Sequence, residues 1–202
     1  MKLDYKKDLK QLYFPRVGVY EVVEVPSMKF LMIDGHGDPN DNPVYQEAVS
    51  ALYTLAYGLR FALKSQGVEA VVPPLEGLWW AEDINAFTLE RKDRWDWTMM
   101  IMQPEMVTPE LFAEVRRKAV QKKGVPALER VRLETFAQGL CVQTMYLGAY
   151  KDEGPTIAAM HAFLREYGYD FNGKHHEIYL GDPRKSTPDK LKTVIRQPVK
   201  PV

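Results

Sequence analysis

Leu31-Met32-Ile33-Asp34-Gly35-His36-Gly37 and Thr144-Met145-Tyr146-Leu147-Gly148-Ala149-Tyr150 open two stretches that read alike. Each is an apolar run that closes on glycine, the signature of a strand ending in a turn. Gly35 and Gly148 stand 113 residues apart, and the prolines that follow them, Pro43 and Pro155, stand 112 apart. After each proline comes a segment of helical period: Ala48, Leu52, Leu55, Leu59 and Leu63 in the first, with Val44 leading, and Ile157, Met160, Phe163, Leu164 and Tyr167 in the second. Each stretch then carries a strand (Leu78-Trp79, Ile178-Tyr179) and ends on an apolar run with a Gln-Pro pair, Gln103-Pro104 and Gln197-Pro198. The pattern predicts an α+β fold: two βαββ units, over about 28–104 and 139–198, joined edge to edge in one antiparallel sheet. Both helices would cover one face, and a ligand groove would open on the other. A helix at about 108–123 links the halves, started by Thr108-Pro109-Glu110 and stopped by Gly124. Val131–Phe136 and Leu140–Tyr146 read as a hairpin around Ala137-Gln138-Gly139, and residues 81–94 as a charged loop. Residues 1–27 read as a docking arm, and 1–202 as one domain.

Composition narrows the function. Lys plus Arg and Asp plus Glu both number 27, so the formal net charge is zero. A general nucleic-acid binder needs a basic excess, so direct DNA binding is not expected. The basic residues at 116–118 and 122–123 are read as a solvated helix end that complements the dipole. No run reaches the roughly 18 apolar residues of a membrane span, and the N-terminus has no secretory h-region. With Cys141 as the only cysteine, no internal disulfide forms. A soluble cytoplasmic protein is expected.

Strand alternation assigns faces within His175-His176-Glu177-Ile178-Tyr179-Leu180. Glu177 and Tyr179 share a face with His175, while Ile178 and Leu180 point the other way, towards the helices. The repeat aligns Trp79 with Tyr179 and Gly77 with Glu177, so one half offers a carboxylate where the other offers space. Trp80 falls on the core side unless the register slips by one. Tyr150, Tyr146, Trp97, Trp95 and Met100 are further aromatic or soft residues able to line the concavity. Glu177 among aromatics is a candidate base for a water, or an anchor for a cation; against that stands a plain ion pair. His175 and Glu177 give two metal ligands on one face, short of the three or four that zinc takes, so no metal is expected. Cys141 reads as a small core residue.

The chain also resembles the GyrI-like small-molecule-binding family, related in fold to the SOUL haem-binding proteins and to effector domains of AraC- and MerR-type multidrug regulators. The matching stretches are Val25–Gly35, Gly37-Asp38-Pro39-Asn40, Pro74-Leu75-Glu76-Gly77-Leu78-Trp79-Trp80, Gly148–Pro155 and His175–Arg184. The resemblance implies a duplicated βαββ fold with a groove between the halves and a groove glutamate, here Glu177, that accepts cationic drugs. The subgroup with the Leu-Glu-Gly-Leu-Trp-Trp motif looks like proteins that hydrolyse cyclopropanoid DNA-alkylating compounds in an aromatic cage. The cage would draw on Trp79, Trp80, Tyr150, Tyr179, Trp97 or Tyr146, with Glu177 and Tyr179 catalytic. Residues 1–27 are too few for a winged helix, no ligand histidine suits haem, and no cofactor is expected. The partner is an aromatic or cationic small molecule. Passive drug sequestration is the alternative, and a gyrase-inhibitor-like interaction ranks last.

Overall fold

The computed structural model describes residues 1–40, 42–82, 89–182 and 185–202. The charged loop read at 81–94 therefore falls partly, and the Pro183-Arg184 end of the last motif wholly, outside the described residues. Among these, the strands are β1 (Lys2–Leu3), β2 (Glu21–Val25), β3 (Met28–His36), β4 (Glu69–Ala70), β5 (Leu75–Trp80), β6 (Asp96–Gln103), β7 (Arg132–Phe136), β8 (Gly139–Leu147), β9 (Tyr169–Phe171), β10 (His175–Tyr179) and β11 (Lys192–Pro201). The helices are α1 (Tyr5–Asp8), α2 (Lys10–Tyr13), α3 (Pro43–Ser65), α4 (Pro109–Lys123), α5 (Ala127–Arg130) and α6 (Gly154–Glu166).

The main sheet runs β2-β8-β11-β10-β5-β6-β3-β7, with β9 on the end of β11, and every pairing in it is antiparallel. The duplication is visible in that order. The strands β3, β6 and β5 of the first unit mirror β8, β11 and β10 of the second, and the units meet at β5–β10. There Gly77 stands opposite Glu177, and Trp79 opposite His175.

Helix limits follow local chemistry. Asn42 caps α3 by accepting the Val44 amide at 2.9 Å, with Pro43 in the first turn. Thr108 does the same for α4 with the Leu111 amide at 3.2 Å, and Gly124 ends it in the left-handed region at φ 61°. Ala48, Ala51, Leu52, Leu55, Ala56, Leu59 and Leu63 form the buried stripe of α3, whereas Val44 is exposed.

Two expectations fail for one topological reason. Val25 lies on the first strand of the order and Met28 on the last but one, six places apart. In a flat sheet that is about 29 Å, while three residues reach only about 11 Å. The Phe136 to Gly139 connection has the same problem. The sheet must therefore roll until its ends approach. The hairpin expected between 131–136 and 140–146 does not form: β7 pairs with β3, and β8 with β2 and β11. The face expected to lie open is the inside of the roll. It holds Phe30, Met32, Leu78, Met100, Met102, Cys141, Met145, Ile178 and Val194, and the N-terminal arm packs there through Leu12 and Tyr13. Ile178 thus packs beneath the arm, not beneath the helices. The outer face carries α3 over β3 and β6, and α6 over β8, which leaves the β5–β10 junction between the two helices.

A buried polar chain ties the arm to the junction. The Tyr13 hydroxyl donates to Glu76 at 3.1 Å, and His176 Nε2 lies 2.9 Å from the other Glu76 oxygen. Arg196 donates to Gln143 Oε1 at 2.9 Å and to the Leu12 carbonyl at 2.7 Å. Burial lowers the affinity of His176 for a proton, against the pull of Glu76.

Tyr13→Phe removes one donor from buried Glu76 and should cost about 1–3 kcal/mol in urea unfolding. His176 is held neutral in the fold but binds a proton once unfolded. Stability should therefore fall as pH drops through the unfolded histidine value of about 6.5, and fall less steeply in His176→Gln. Thermal melts from pH 8 to 5 check the second expectation.

Candidate functional site

The site is built on the outer face, where β5 and β10 meet. Glu177 is the hub. The Tyr179 hydroxyl donates to its Oε2 at 2.8 Å, and His175 Nε2 approaches its Oε1 at 3.1 Å. Trp79 Nε1 in turn donates to the Tyr179 oxygen at 2.9 Å. Indole, phenol and carboxylate thus form a directed relay. Only 15% of the Glu177 side chain is exposed. Burial alone would raise its pKa, but donors from His175, Tyr179 and Glu153 overcome burial and hold it below the usual range. Burial and the Glu177 charge push the Tyr179 hydroxyl well up, so it stays a donor.

The relay depends on the glycine opposite Glu177. A Cβ on Gly77 would meet Trp79 Nε1 at 2.7 Å and Met99 Sδ at 3.2 Å. Without one, the indole lies back along the sheet to reach Tyr179.

Aromatic rings surround the hub. Trp79 lies 5.9 Å from Trp95 and 6.2 Å from Tyr45, centroid to centroid. Tyr150 meets Tyr179 edge-on at 5.4 Å. Burial, followed by the charges of Glu153 and Glu177, pushes the Tyr150 hydroxyl up to about 12.

Glu153 completes the set. It is 3% exposed and sits at the start of α6, yet it makes no capping bond with its side chain. A carboxyl there would normally be ionised by the helix dipole. Burial and the neighbouring Glu177 charge instead push it up to about 10, against the weaker opposing pulls of Thr193 and Lys92.

The GyrI-like small molecule binding domain model matches residues 19–200. The chain belongs to this family. As a GyrI-like domain it is similar to two solved proteins from Listeria innocua. One is an uncharacterized conserved protein, 42% identical, covering 98% of this chain and 100% of its own, with a TM-score of 0.91. The other is called a hydrolase and is 41% identical, covering 99% of this chain and 100% of its own, with a TM-score of 0.90. The EcmrR C-terminal domain, 11% identical, covers 91% of this chain and 98% of its own at a TM-score of 0.56, a likeness of fold alone. No curated protein sequence matches the chain.

Within this GyrI-like domain the residues singled out in the sequence divide between the two faces. Trp79, Glu177, Tyr179 and Tyr150 come together. Trp80 and Met100 do not, because both have the opposite parity to Trp79 across β5–β6. Met100 is buried inside the roll. Trp80 stands beneath the Lys174 ammonium, 3.1 Å from its ring centroid, and lines a separate polar depression of about 570 Å³. The guanidinium of Arg132 there is held by Asp34 at 2.8 Å. Trp97 is fully buried, donates to the Gly37 carbonyl at 3.2 Å and reaches the ring cluster through Tyr45. Tyr146 shares the outer face but donates to the Ala149 carbonyl at 3.1 Å. Burial pushes the Cys141 thiol up to about 12, as befits a core residue. Among the described residues no cluster of three or more His, Cys, Asp or Glu could hold a metal, and no helix is long and apolar enough to cross a membrane.

Sequence reasoning missed three contributors. Tyr45 and Tyr53 lie on α3 and pack, partly buried, beside its apolar stripe; their spacing of eight residues, about two turns, was the available signal. Glu153 stood in plain sight before Gly154-Pro155, where a carboxylate reads as an ordinary helix start.

Gly77→Ala should displace the Trp79 ring, break its bond to Tyr179 and cost about 1–3 kcal/mol of overpacking. A shifted tryptophan emission maximum, with weaker binding of a planar aromatic ligand, checks it.

Proposed function

We propose that this protein hydrolyses small electrophilic aromatic compounds, of the kind exemplified by cyclopropanoid DNA-alkylating agents. The observation that carries the reading is the ionised Glu177 carboxylate held by the Trp79–Tyr179 relay among aromatic rings. The similarity to a Listeria innocua protein called a hydrolase supports it further.

A flat dienone stacks against the rings, which fixes its orientation and excludes bulk water. Glu177 is an acceptor with about four lone-pair sites, two of which are claimed by His175 and Tyr179. A remaining site takes a water proton. The water oxygen bonds to the cyclopropane methylene as the ring carbon–carbon bond breaks. The electron pair moves through the dienone to its carbonyl oxygen, which becomes a phenolate hydrogen-bonded by the Tyr150 hydroxyl; the proton taken up by Glu177 then passes through solvent to that oxygen, giving the phenol and restoring the carboxylate. Tyr179 orients Glu177 and stays protonated.

Sequestration without chemistry is the second reading, favoured by an anionic carboxylate inside aromatic walls, a setting that suits a cation. Glu177→Gln separates the two. Under the hydrolytic reading, turnover of a spirocyclic cyclopropane falls by about 100-fold or more while binding changes little. Mass spectrometry of the parent reaction should show the compound heavier by one water over many turnovers. Intact compound recovered from the parent protein, with Glu177→Gln losing cations selectively, would replace hydrolysis with sequestration.

A further inference from the structure

The inward-facing rows of the sheet continue past the packed interior to one end of the roll. Met32 on β3, Leu78 on β5 and Met100 on β6 belong to the buried inside. Two residues further along the same faces stand Asp34, Trp80 and Thr98, and Thr98 is the cross-strand partner of Asp34. Arg132 on β7 lies opposite Met32, and Lys174 stands two residues before inward-facing His176. With Arg130 from α5, these side chains line the polar depression of about 570 Å³. The depression is therefore the mouth of the roll, on the opposite face of the sheet from Glu177. Its described lining includes no residue of the N-terminal arm, which fills the roll deeper in. The mouth of a rolled sheet is a recurrent place for a small ligand, and this volume suits one.

The acids of the mouth are already engaged. Asp34 accepts from the Thr98 hydroxyl at 2.7 Å and from two Arg132 nitrogens at 2.8 and 3.1 Å. Arg132 Nε donates to Glu134 at 2.6 Å, and Asp96 lies 2.8 Å from His36 Nδ1. Two cations are left over. Arg130 gives one guanidinium nitrogen to the Asp34 carbonyl, and the Lys174 ammonium stands 3.1 Å from the Trp80 ring centroid. Among the described residues, no carboxylate forms an ion pair with either. Burial, aided by the Arg132 charge, lowers the affinity of Lys174 for its proton despite Asp34 and Asp96, so an anion beside it would supply a charge the ammonium lacks. A guanidinium edge matches the paired oxygens of a carboxylate or phosphate, and the indole offers a flat apolar wall next to them. We propose that the mouth of the roll is a second ligand site, which takes the carboxylate or phosphate of a small aromatic molecule between Arg130 and Lys174, with its ring beside Trp80.

This site does not depend on the hydrolytic reading, and its test needs no turnover. Isothermal titration calorimetry of the full chain at low ionic strength should show saturable binding of phenyl phosphate or benzoate, and the tighter of the two identifies the headgroup. Added salt should weaken that binding. Benzyl alcohol, which has the ring without the charge, should not bind, and inorganic phosphate, which has the charge without the ring, should bind more weakly than phenyl phosphate. Lys174 and Arg130 are exposed, so Lys174→Met and Arg130→Gln should melt close to the parent while each weakens the anion by about tenfold or more. Failure of both aromatic anions to bind would overturn the site. Binding that survives both substitutions would also overturn it, by placing the anion elsewhere on the protein. Equal binding of benzyl alcohol would replace the oxyanion site with an apolar contact, and inorganic phosphate binding as tightly as phenyl phosphate would remove the ring and Trp80 from the proposal.

Discussion

The pairing of Gly77 with Glu177 across the β5–β10 junction is the constraint on which the site depends. The two halves of the duplication meet there with opposite contributions: one supplies a carboxylate, the other supplies no side chain. The missing Cβ gives Trp79 a place to lie, and the indole then donates to Tyr179, which donates to Glu177. A symmetric duplication would have put two carboxylates face to face or left two gaps. The difference between Gly77 and Glu177 makes this junction an asymmetric polar centre.

Each central strand also has a back side, and the two sides are chemically separate. Glu76 and His176 are the immediate neighbours of Gly77 and Glu177, and they point into the roll to meet Tyr13 and Arg196. That network is buried and hydrogen-bonded, so removing one partner is expensive, because it leaves the others unpaired in the interior. It holds the N-terminal arm in place and fixes the lateral position of β10. The outer face has the reverse character. There Glu177 and Glu153 are largely buried among aromatic rings, and burial together with the Glu177 charge pushes Glu153 upward.

The duplication was legible because it rests on glycine and proline, whose backbone restrictions survive in any context. The same applies to α3 and α4, whose caps are local chemistry. Alternation along His175–Leu180 was enough to place Glu177 and Tyr179 together and to oppose Gly77 to Glu177. It could not say which face looks outward, because parity within a strand is relative. Trp80 and Met100 were drawn into the site on residue type, and the β5–β6 register puts them on the other side. The hairpin at 131–146 looked sound locally and lost to pairings with β2 and β3, far earlier in the chain, and with β11, later in it.

The sequence alone determined that two βαββ units make one antiparallel sheet, that Glu177 shares a face with Tyr179, and that the chain belongs with the GyrI-like domains. Periodicity, turn residues and motif spacing are properties of short stretches, and they carry that much. Only the tertiary structure decided that the sheet rolls up, that the arm fills its inside and that the candidate site lies between α3 and α6. Those outcomes depend on chain reach between distant strands and on which face the arm and the helices cover, and both exist only once the whole chain has packed.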